Sequence, residues 1–105
     1  MAEPLTTDAL AATVRLLSAT AHPLRLSVLL TLSREGALSA GTLAERLGAE
    51  QSALSHQLRI LRDADLVTGT RHGKRVIYEL ADHHVAHIVE DALAHASEQG
   101  VRPAS

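Results

Sequence analysis

Four residues near the C-terminal end of the chain combine side-chain types and a spacing that could bind a metal ion: Asp82, His84, His95 and Glu98. Two imidazoles and two carboxylates make a four-coordinate set of nitrogen and oxygen ligands, which suits Zn(II) or Co(II). Ni(II) is a further candidate that would need more ligands, and His83 or His87 could supply one. These two histidines could also form a weaker second site, but we interpret them as solvated residues because the pattern is complete without them.

The four candidate ligands lie on one predicted helix. His84 and His95 are eleven residues apart, about three helical turns, so both imidazoles should point to one face. Their backbones are then roughly 16 Å apart along the axis, whereas zinc ligands lie about 2 Å from the ion. Two antiparallel copies could instead bring Asp82 and His84 of one chain beside His95 and Glu98 of the other. Asp82 can take part only if it precedes the regular helix, because residues two apart on a helix face opposite sides.

The residues between these ligands indicate how two such helices would meet. Apolar side chains recur there at helical spacing, namely Val85, Ile88, Val89, Ala92 and Ala96. An apolar stripe on a helix is normally buried against another surface. The sequence therefore predicts that the last helix is also the seam of a homodimer.

The composition predicts one small helical domain. The chain has 105 residues, no Phe, no Trp and one Tyr, so its core must consist of Leu, Val, Ile and Ala. The absence of cysteine excludes disulfides, thiolate ligands and thiol redox chemistry. We expect a domain over residues 8–98 between disordered tails at 1–7 and 99–105. Without a signal peptide or transmembrane pattern, the expected protein is soluble and cytoplasmic, with no membrane partner.

The charges of the chain are divided between two neighbouring segments. Residues 51–75 contain five basic and two acidic side chains, a net charge of +3. Residues 76–98 contain five acidic side chains and no Lys or Arg, a net charge of −5. The first segment suits a polyanion and the second suits a cation.

Five helices and one hairpin are predicted along the chain. The helices span about 8–19, 23–35, 40–48, 51–65 and 82–98, and the strands span 66–70 and 76–80. Asp8 and Ser39 suit N-caps, whereas Gly36 and Gly48 suit C-caps. The predicted fold class is mainly α with a small β-hairpin before the last helix, the order of a winged helix-turn-helix.

The third and fourth predicted helices, with the hairpin, predict binding to double-stranded DNA. In the fourth helix, Leu54, Leu58 and Leu61 form the buried face, and the opposite face is polar. Gly73 and the basic residues around it make the hairpin a basic wing. The expected contacts are Gln51, Ser52, Ser55, His56 and Arg59 with base edges in the major groove, and Arg71, Lys74 and Arg75 with phosphates.

Three stretches of the chain resemble the ArsR/SmtB family of metal-responsive winged-helix repressors. They are AHPLRLSVLLTL (21–32), LAERLGAEQSALSHQLRILRDADLV (43–67) and RHGKRVIYEL (71–80). Together with the last helix they cover most of residues 9–98. The segments DHH and HASE of that helix resemble zinc-sensing members whose C-terminal helices pair antiparallel across a dimer. The resemblance implies a homodimeric repressor that binds operator DNA without metal and releases it when metal binds.

The resemblance also implies how the metal signal reaches the DNA. In such sensors a metal-bound imidazole donates its outer hydrogen bond to the end of the recognition helix. The matching residues are His95 and the backbone carbonyl near Asp65. One departure from the family pattern limits where this chain could sense metal. Ser39 and Gly41 stand where many members have cysteines. Thiolate-based sensing at that place is therefore excluded, and the last helix is the remaining sensor.

Two other functions are compatible with parts of this pattern. The chain could be a winged-helix repressor that is independent of metal or triggered by another signal, with incidental histidines. A metalloenzyme would usually keep three protein ligands and an open coordination position. The four-ligand pattern leaves none open, and no nucleophile–base constellation occurs elsewhere, so we expect no enzymatic activity and no small-molecule substrate.

Overall fold

The computed structural model describes residues 2–100, so Met1 and residues 101–105 of the predicted tails lie outside the described part. The described chain forms α1 (Thr7–Thr20), α2 (Pro23–Glu35), β1 (Leu38–Ser39), α3 (Ala40–Leu47), α4 (Gln51–Asp63), β2 (Val67–His72), β3 (Arg75–Leu80) and α5 (His83–Gly100). The predicted fold class, a mainly helical winged helix-turn-helix, is confirmed. None of the helices formed by residues 2–100 has the length and apolar content needed to cross a membrane.

Local capping explains where most helices begin and end. The Ser39 hydroxyl accepts a hydrogen bond from the Thr42 N–H at 3.2 Å and caps α3, as predicted. Gly36 and Gly48 end α2 and α3 with positive φ angles of 83° and 59°, which glycine adopts without steric strain. The predicted cap of α1 is wrong, because the Thr6 hydroxyl accepts from the Ala9 N–H and Asp8 lies within the first turn. A hydroxyl two residues earlier fills the same role.

The sheet that contains the wing has one strand more than the sequence predicted. β1 pairs antiparallel with β3, with Leu38 opposite Tyr78 and Ser39 opposite Ile77. The sheet order is therefore β1-β3-β2. A strand of two residues is too short to display an alternating pattern, and it forms only because β3 presents a free edge to it.

The core lies around α2, which contacts each of the other four helices and strand β3. Val28, Leu29 and Leu32 of α2 are buried there, as are all three leucines predicted for the inner face of α4. Val85 and Val89 of α5 are also buried, at 4% and 1% exposure. Their assignment to a dimer seam is therefore wrong, because this side of α5 packs onto α2 within the same chain.

Several large apolar residues of α1 and α5 remain exposed. Leu10, Val14 and Leu17 are 52%, 55% and 47% exposed on α1, and Ile88 is 36% exposed on α5. The three α1 residues are spaced i, i+4 and i+7, so they form one stripe on the outer face of that helix. The predicted helical spacing in α1 thus marks a face that the single chain leaves open to solvent.

The junction between α4 and the wing is fixed by backbone hydrogen bonds. Asp65 takes a φ of 60° just after α4. Its N–H donates to the Arg62 carbonyl at 3.0 Å, and the Leu66 N–H donates to the Leu61 carbonyl at 2.9 Å. This pair of bonds is the Schellman arrangement, which usually places glycine where Asp65 stands. On the far side of the wing, the Ala81 N–H donates to the Leu66 carbonyl at 3.0 Å and closes the hairpin at its base.

Candidate DNA-binding and metal-binding surfaces

The outer face of α4 is polar and accessible. Its inner leucines, Leu54, Leu58 and Leu61, are at most 1% exposed. The five predicted base-contacting residues are all exposed: Gln51, Ser52, Ser55, His56 and Arg59. The Ser52 hydroxyl donates a hydrogen bond to the carboxylate of Glu50, directly before the helix. Burial of one face against the core therefore orients the opposite face toward solvent.

A groove of about 450 Å³ separates the start of α4 from the turn of the wing and the beginning of β3. Gln51 and Ser55 line it from α4, and Lys74 and Arg75 line it from the wing. The structure thus brings two predicted base-contacting residues beside two predicted phosphate-contacting residues. Arg71 lies further along β2, where it is exposed. A negatively charged ligand entering this groove would meet both cationic side chains.

Ser39 links α3 to the wing at this groove through hydrogen bonds of its hydroxyl. Its side chain is 7% exposed and lies where α3, β1 and the wing meet. Besides capping α3, the hydroxyl donates to Thr42 Oγ1 at 3.0 Å and accepts from Arg75 Nη2 at 3.3 Å. The sequence indicated Ser39 as a cap, but its contact with Arg75 depends on the unpredicted pairing of β1 with β3. Thr42 and Glu45 also line the groove and were missed by sequence reasoning.

The predicted metal ligands are exposed and divided between the two halves of α5. Asp82 directly precedes the helix, and its Oδ1 accepts the Val85 N–H at 3.2 Å. His84, His95 and Glu98 are exposed along the helix that follows. Within the part of the chain that the structure describes, no three His, Asp or Glu side chains are close enough to share a metal ion. A single chain therefore does not assemble the predicted site, and the ligand set remains a prediction.

Three histidines, His83, His84 and His87, cluster within the first two turns of α5. The ring of His83 lies 4.2 Å from that of His84, with an angle of 38° between the planes. The ring of His83 also lies 5.7 Å from that of His87, with an angle of 75°. All three side chains are exposed. The sequence shows their spacing, but only the structure shows which ring faces which.

The two residues predicted to couple metal binding to DNA lie on separate elements. His95 is exposed on α5, and Asp65 is exposed at the end of α4. Asp65 also borders a cleft of about 470 Å³ between α1 and α4, so its segment is accessible from outside. Their predicted coupling is not tested by these positions. The connection that the structure does contain runs from Ala81, beside Asp82, to Leu66, beside Asp65.

An ion pair fixes α5 to α2. Arg34 donates to Glu90 through Nε at 3.2 Å and through Nη2 at 3.0 Å. The hydrogen bond from Arg34, assisted by one from Ser33, lowers the pKa of the Glu90 carboxyl. The same contact raises the pKa of the Arg34 guanidinium. Both side chains are partly exposed, so the pair orients α5 more than it stabilises the fold.

Comparison with known proteins identifies the same architecture. A helix-turn-helix domain model matches residues 20–70. The transcriptional regulator NmtR of Mycobacterium tuberculosis (strain ATCC 25618 / H37Rv) is 46% identical over 93 residues, which cover 89% of this chain and 77% of the relative. The transcriptional repressor SmtB of M. tuberculosis (strain CDC 1551 / Oshkosh) is 46% identical over 86 residues, 82% of this chain and 63% of that protein.

A solved structure extends this similarity over the whole chain. The homodimeric winged helix-turn-helix DNA-binding domain from Mycobacterium bovis superimposes with a TM-score of 0.78 at 25% identity, and the match covers 100% of both chains. The two M. tuberculosis relatives are helix-turn-helix transcriptional regulators rather than enzymes, and the M. bovis domain has the winged helix-turn-helix described above. The chain therefore belongs to the ArsR/SmtB family of metal-sensing, winged-helix transcriptional repressors.

Proposed function

We propose that this protein is a homodimeric repressor that binds operator DNA without metal and releases it when Zn(II) or Co(II) binds between paired α5 helices. The observation that carries the proposal is the division of the ligand set. Asp82 and His84 lie at one end of α5, and His95 and Glu98 lie toward the other, all on exposed side chains. Each chain thus offers two half-sites, which a twofold axis can complete.

The DNA-binding part of the proposal rests on α4 and the wing. The polar face of α4 carries amide, hydroxyl and guanidinium groups that can bond to base edges. Lys74 and Arg75 stand across the groove from that face, where phosphates on either side of a major groove would lie. The net charge of +3 over residues 51–75 favours the approach of a polyanion.

The homodimer is supported by the apolar stripe on α1. Leu10, Val14 and Leu17 are each about half exposed, which is unusual for three large apolar residues on one helix face. A second copy of the chain could cover them together with Ile88 of α5. The Mycobacterium bovis neighbour is itself homodimeric. Dimer formation would also set the distance between the two α4 helices, which must reach successive major grooves.

The metal part rests on the chemistry of the donor set. Imidazole and carboxylate ligands fit Zn(II) and Co(II), whereas the chain contains no cysteine for softer ions. Asp82 already uses Oδ1 to cap α5, but its second carboxylate oxygen remains able to bind an ion. A bound ion would fix the orientation of the imidazoles and of the helices that carry them. Ni(II) would require more ligands than these four.

The coupling between the two sites runs through the end of α4. We propose that His95, held in one orientation, donates its outer hydrogen bond to the backbone carbonyl near Asp65. The bond from Ala81 to Leu66 already connects the start of α5 to the same segment. The two α4 helices would then be held at a separation unsuited to the operator. DNA and metal must weaken each other's binding by the same factor.

The test is operator binding measured by fluorescence anisotropy, with and without Zn(II), on duplex DNA from upstream of the gene. Zinc should weaken binding by the wild-type protein, and typical couplings of about 1–3 kcal/mol correspond to roughly 5- to 150-fold. The variant His95→Gln should bind DNA normally but respond little to zinc. His72→Gln, which removes an exposed histidine of the wing, is the matched control and should respond like wild type.

Two outcomes would contradict the proposal in different ways. If zinc, cobalt and nickel all leave operator affinity unchanged, the protein is a winged-helix repressor that is independent of metal or triggered by another signal. If His95→Gln still loses DNA on zinc addition as fully as wild type, metal sensing stands but the route through His95 is wrong.

A further inference from the structure

The ring geometry changes the interpretation of His83 and His87, which the sequence favoured as solvated residues. We propose that they form an accessory site for one divalent transition-metal ion on each chain, separate from the intersubunit site proposed above. The accessory site lies wholly within one α5 helix. It therefore needs no dimer and does not depend on the proposed sensing function. The ions that suit this site are Cu(II), Ni(II) and Zn(II), which bind imidazole well.

The distance between the two rings carries the proposal. A metal ion about 2.0–2.1 Å from one nitrogen of each imidazole lies roughly 3 Å from each ring centre, so a tetrahedral pair has its centres about 5 Å apart. The centres of His83 and His87 are 5.7 Å apart. The observed spacing is therefore close to that of two imidazoles that share one ion. The i, i+4 relation on the helix keeps the two residues side by side.

The contact between His83 and His84 has a different geometry. Their centres are only 4.2 Å apart, which is too close for two rings to meet edge to edge, so the face of one ring must lie against the other. Nitrogen lone pairs lie in the ring planes and do not converge on one ion in such a contact. His84 is therefore left for the intersubunit site, while His83 turns toward His87. The two sites can be filled at the same time.

The surroundings favour a cation. Residues 76–98 carry five acidic side chains and no Lys or Arg, so the local field attracts positive ions. Asp91 follows His87 by one helical turn on the same face and is exposed. Both histidines are exposed as well, and water can complete the coordination. Two protein ligands with water define a site weaker than the four-ligand one.

The experiment is equilibrium dialysis of the full-length protein with Zn(II), counting bound ions per chain, combined with the operator-binding assay. Wild type should bind two ions per chain, one tighter than the other. His87→Gln should weaken the second ion by at least roughly tenfold, the lower range for a disturbed metal shell. It should keep the first ion and the release of operator by zinc. Glutamine is a good helix former, so α5 should remain intact, as circular dichroism would verify.

Two comparison variants separate this site from the intersubunit one. His72→Gln should bind two ions like wild type. His95→Gln should lose the tighter ion and retain the weaker. The proposal is overturned if His87→Gln binds zinc like wild type, or if it loses zinc-dependent operator release, because His87 would then belong to the intersubunit site. If the sensing function alone were wrong, zinc would leave operator binding unchanged while His87→Gln still lost the weaker ion.

Discussion

The helices α4 and α5 both present polar side chains to solvent, but the proposed binding sites on them draw on different partners. The exposed face of α4 is matched within the same chain by Lys74 and Arg75 across a groove. The exposed face of α5 has its donors spread along the helix, and no three of the described His, Asp or Glu side chains converge. One protomer thus carries both sides of the proposed DNA-binding groove but only parts of the proposed sensor. Changes around α4 should therefore act within the chain, and changes on outer faces should act between chains.

The largest expected effect comes from the core beneath the polar face of α4. Leu54 is fully buried under α4, so Leu54→Ala should lower the free energy of unfolding by about 2–5 kcal/mol through lost burial and a cavity. Leu17→Ala removes the same atoms from the exposed stripe of α1. Its effect should appear mainly as weaker dimerisation, and therefore grow as the protein is diluted. Chemical denaturation at several concentrations measures both.

Leu54→Ala and Leu17→Ala together test whether the outer face of α1 acts between chains. If Leu17→Ala destabilised the protein equally at every concentration, the outer face of α1 would be packed within its own chain. The distinction between a self-contained α4 surface and a shared outer surface would then fail.

A smaller effect is expected at Ser39, which joins α3 to the wing. Ser39→Ala removes the cap of α3, and such losses are about 0.5–2 kcal/mol of stability. It also removes the acceptor for Arg75 Nη2. If that bond aims Arg75 at a phosphate, the slope of log operator affinity against log salt should fall by about 1. Anisotropy titrations over a range of salt concentrations measure this slope.

Thr42→Ala is the matched control for Ser39. It removes a hydroxyl bonded to Ser39 but leaves both the cap and the contact with Arg75 in place. An equal change of salt slope in both variants would show that the bond to Arg75 is not what positions the wing.

A change of the opposite sign is expected at the junction between α4 and the wing. Asp65 has a φ of 60°, a conformation that L-residues other than glycine adopt at a cost of about 1–2 kcal/mol. Asp65→Gly should therefore raise the free energy of unfolding by roughly 0.5–1 kcal/mol, after allowing for the greater freedom of glycine in the unfolded chain. Asp63→Gly, inside the last turn of α4, should instead lower it slightly. Thermal denaturation would distinguish these signs.

The smallest effect is expected at the ion pair between α2 and α5. Because the contact with Arg34 lowers the pKa of Glu90, the pair stabilises the fold above the ordinary carboxyl pKa. That contribution is lost as pH falls through the folded-state pKa. Glu90→Gln should thus lower the melting temperature slightly at neutral pH and not at all at pH values where Glu90 is protonated. A difference that grew with acidity would contradict this assignment.

Sequence reasoning was successful where local signals determine structure. The leucine spacing of α4, the cap at Ser39 and the turn at Gly73 depend on residues close together in the chain, and all three are present in the structure. The polar face of α4 followed from the same spacing. These signals were sufficient for the fold class and for the exposure of the polar face of α4, whose role in DNA binding stays a prediction.

The errors concern contacts between distant residues. Val85 and Val89 have the same spacing whether α5 packs on α2 or on a second chain, so periodicity alone could not assign their partner. The contact of Arg75 with Ser39 spans 36 residues and requires the pairing of β1 with β3. The facing of His83 toward His87 depends on side-chain rotation, which no spacing specifies. The ligand set on α5 remains a prediction because it depends on a second chain.

The hydrogen bond from Ala81 to Leu66 has a consequence for the evolution of such proteins. It joins the two ends of the wing, because the chain leaves the helical body at Leu66 and returns to it at Ala81. Hairpins of other lengths can be inserted there without displacing α4 or α5, because surface insertions of this kind add little closure entropy. The wing, which we propose contacts the DNA backbone, and the helix that carries the histidines can therefore diversify separately.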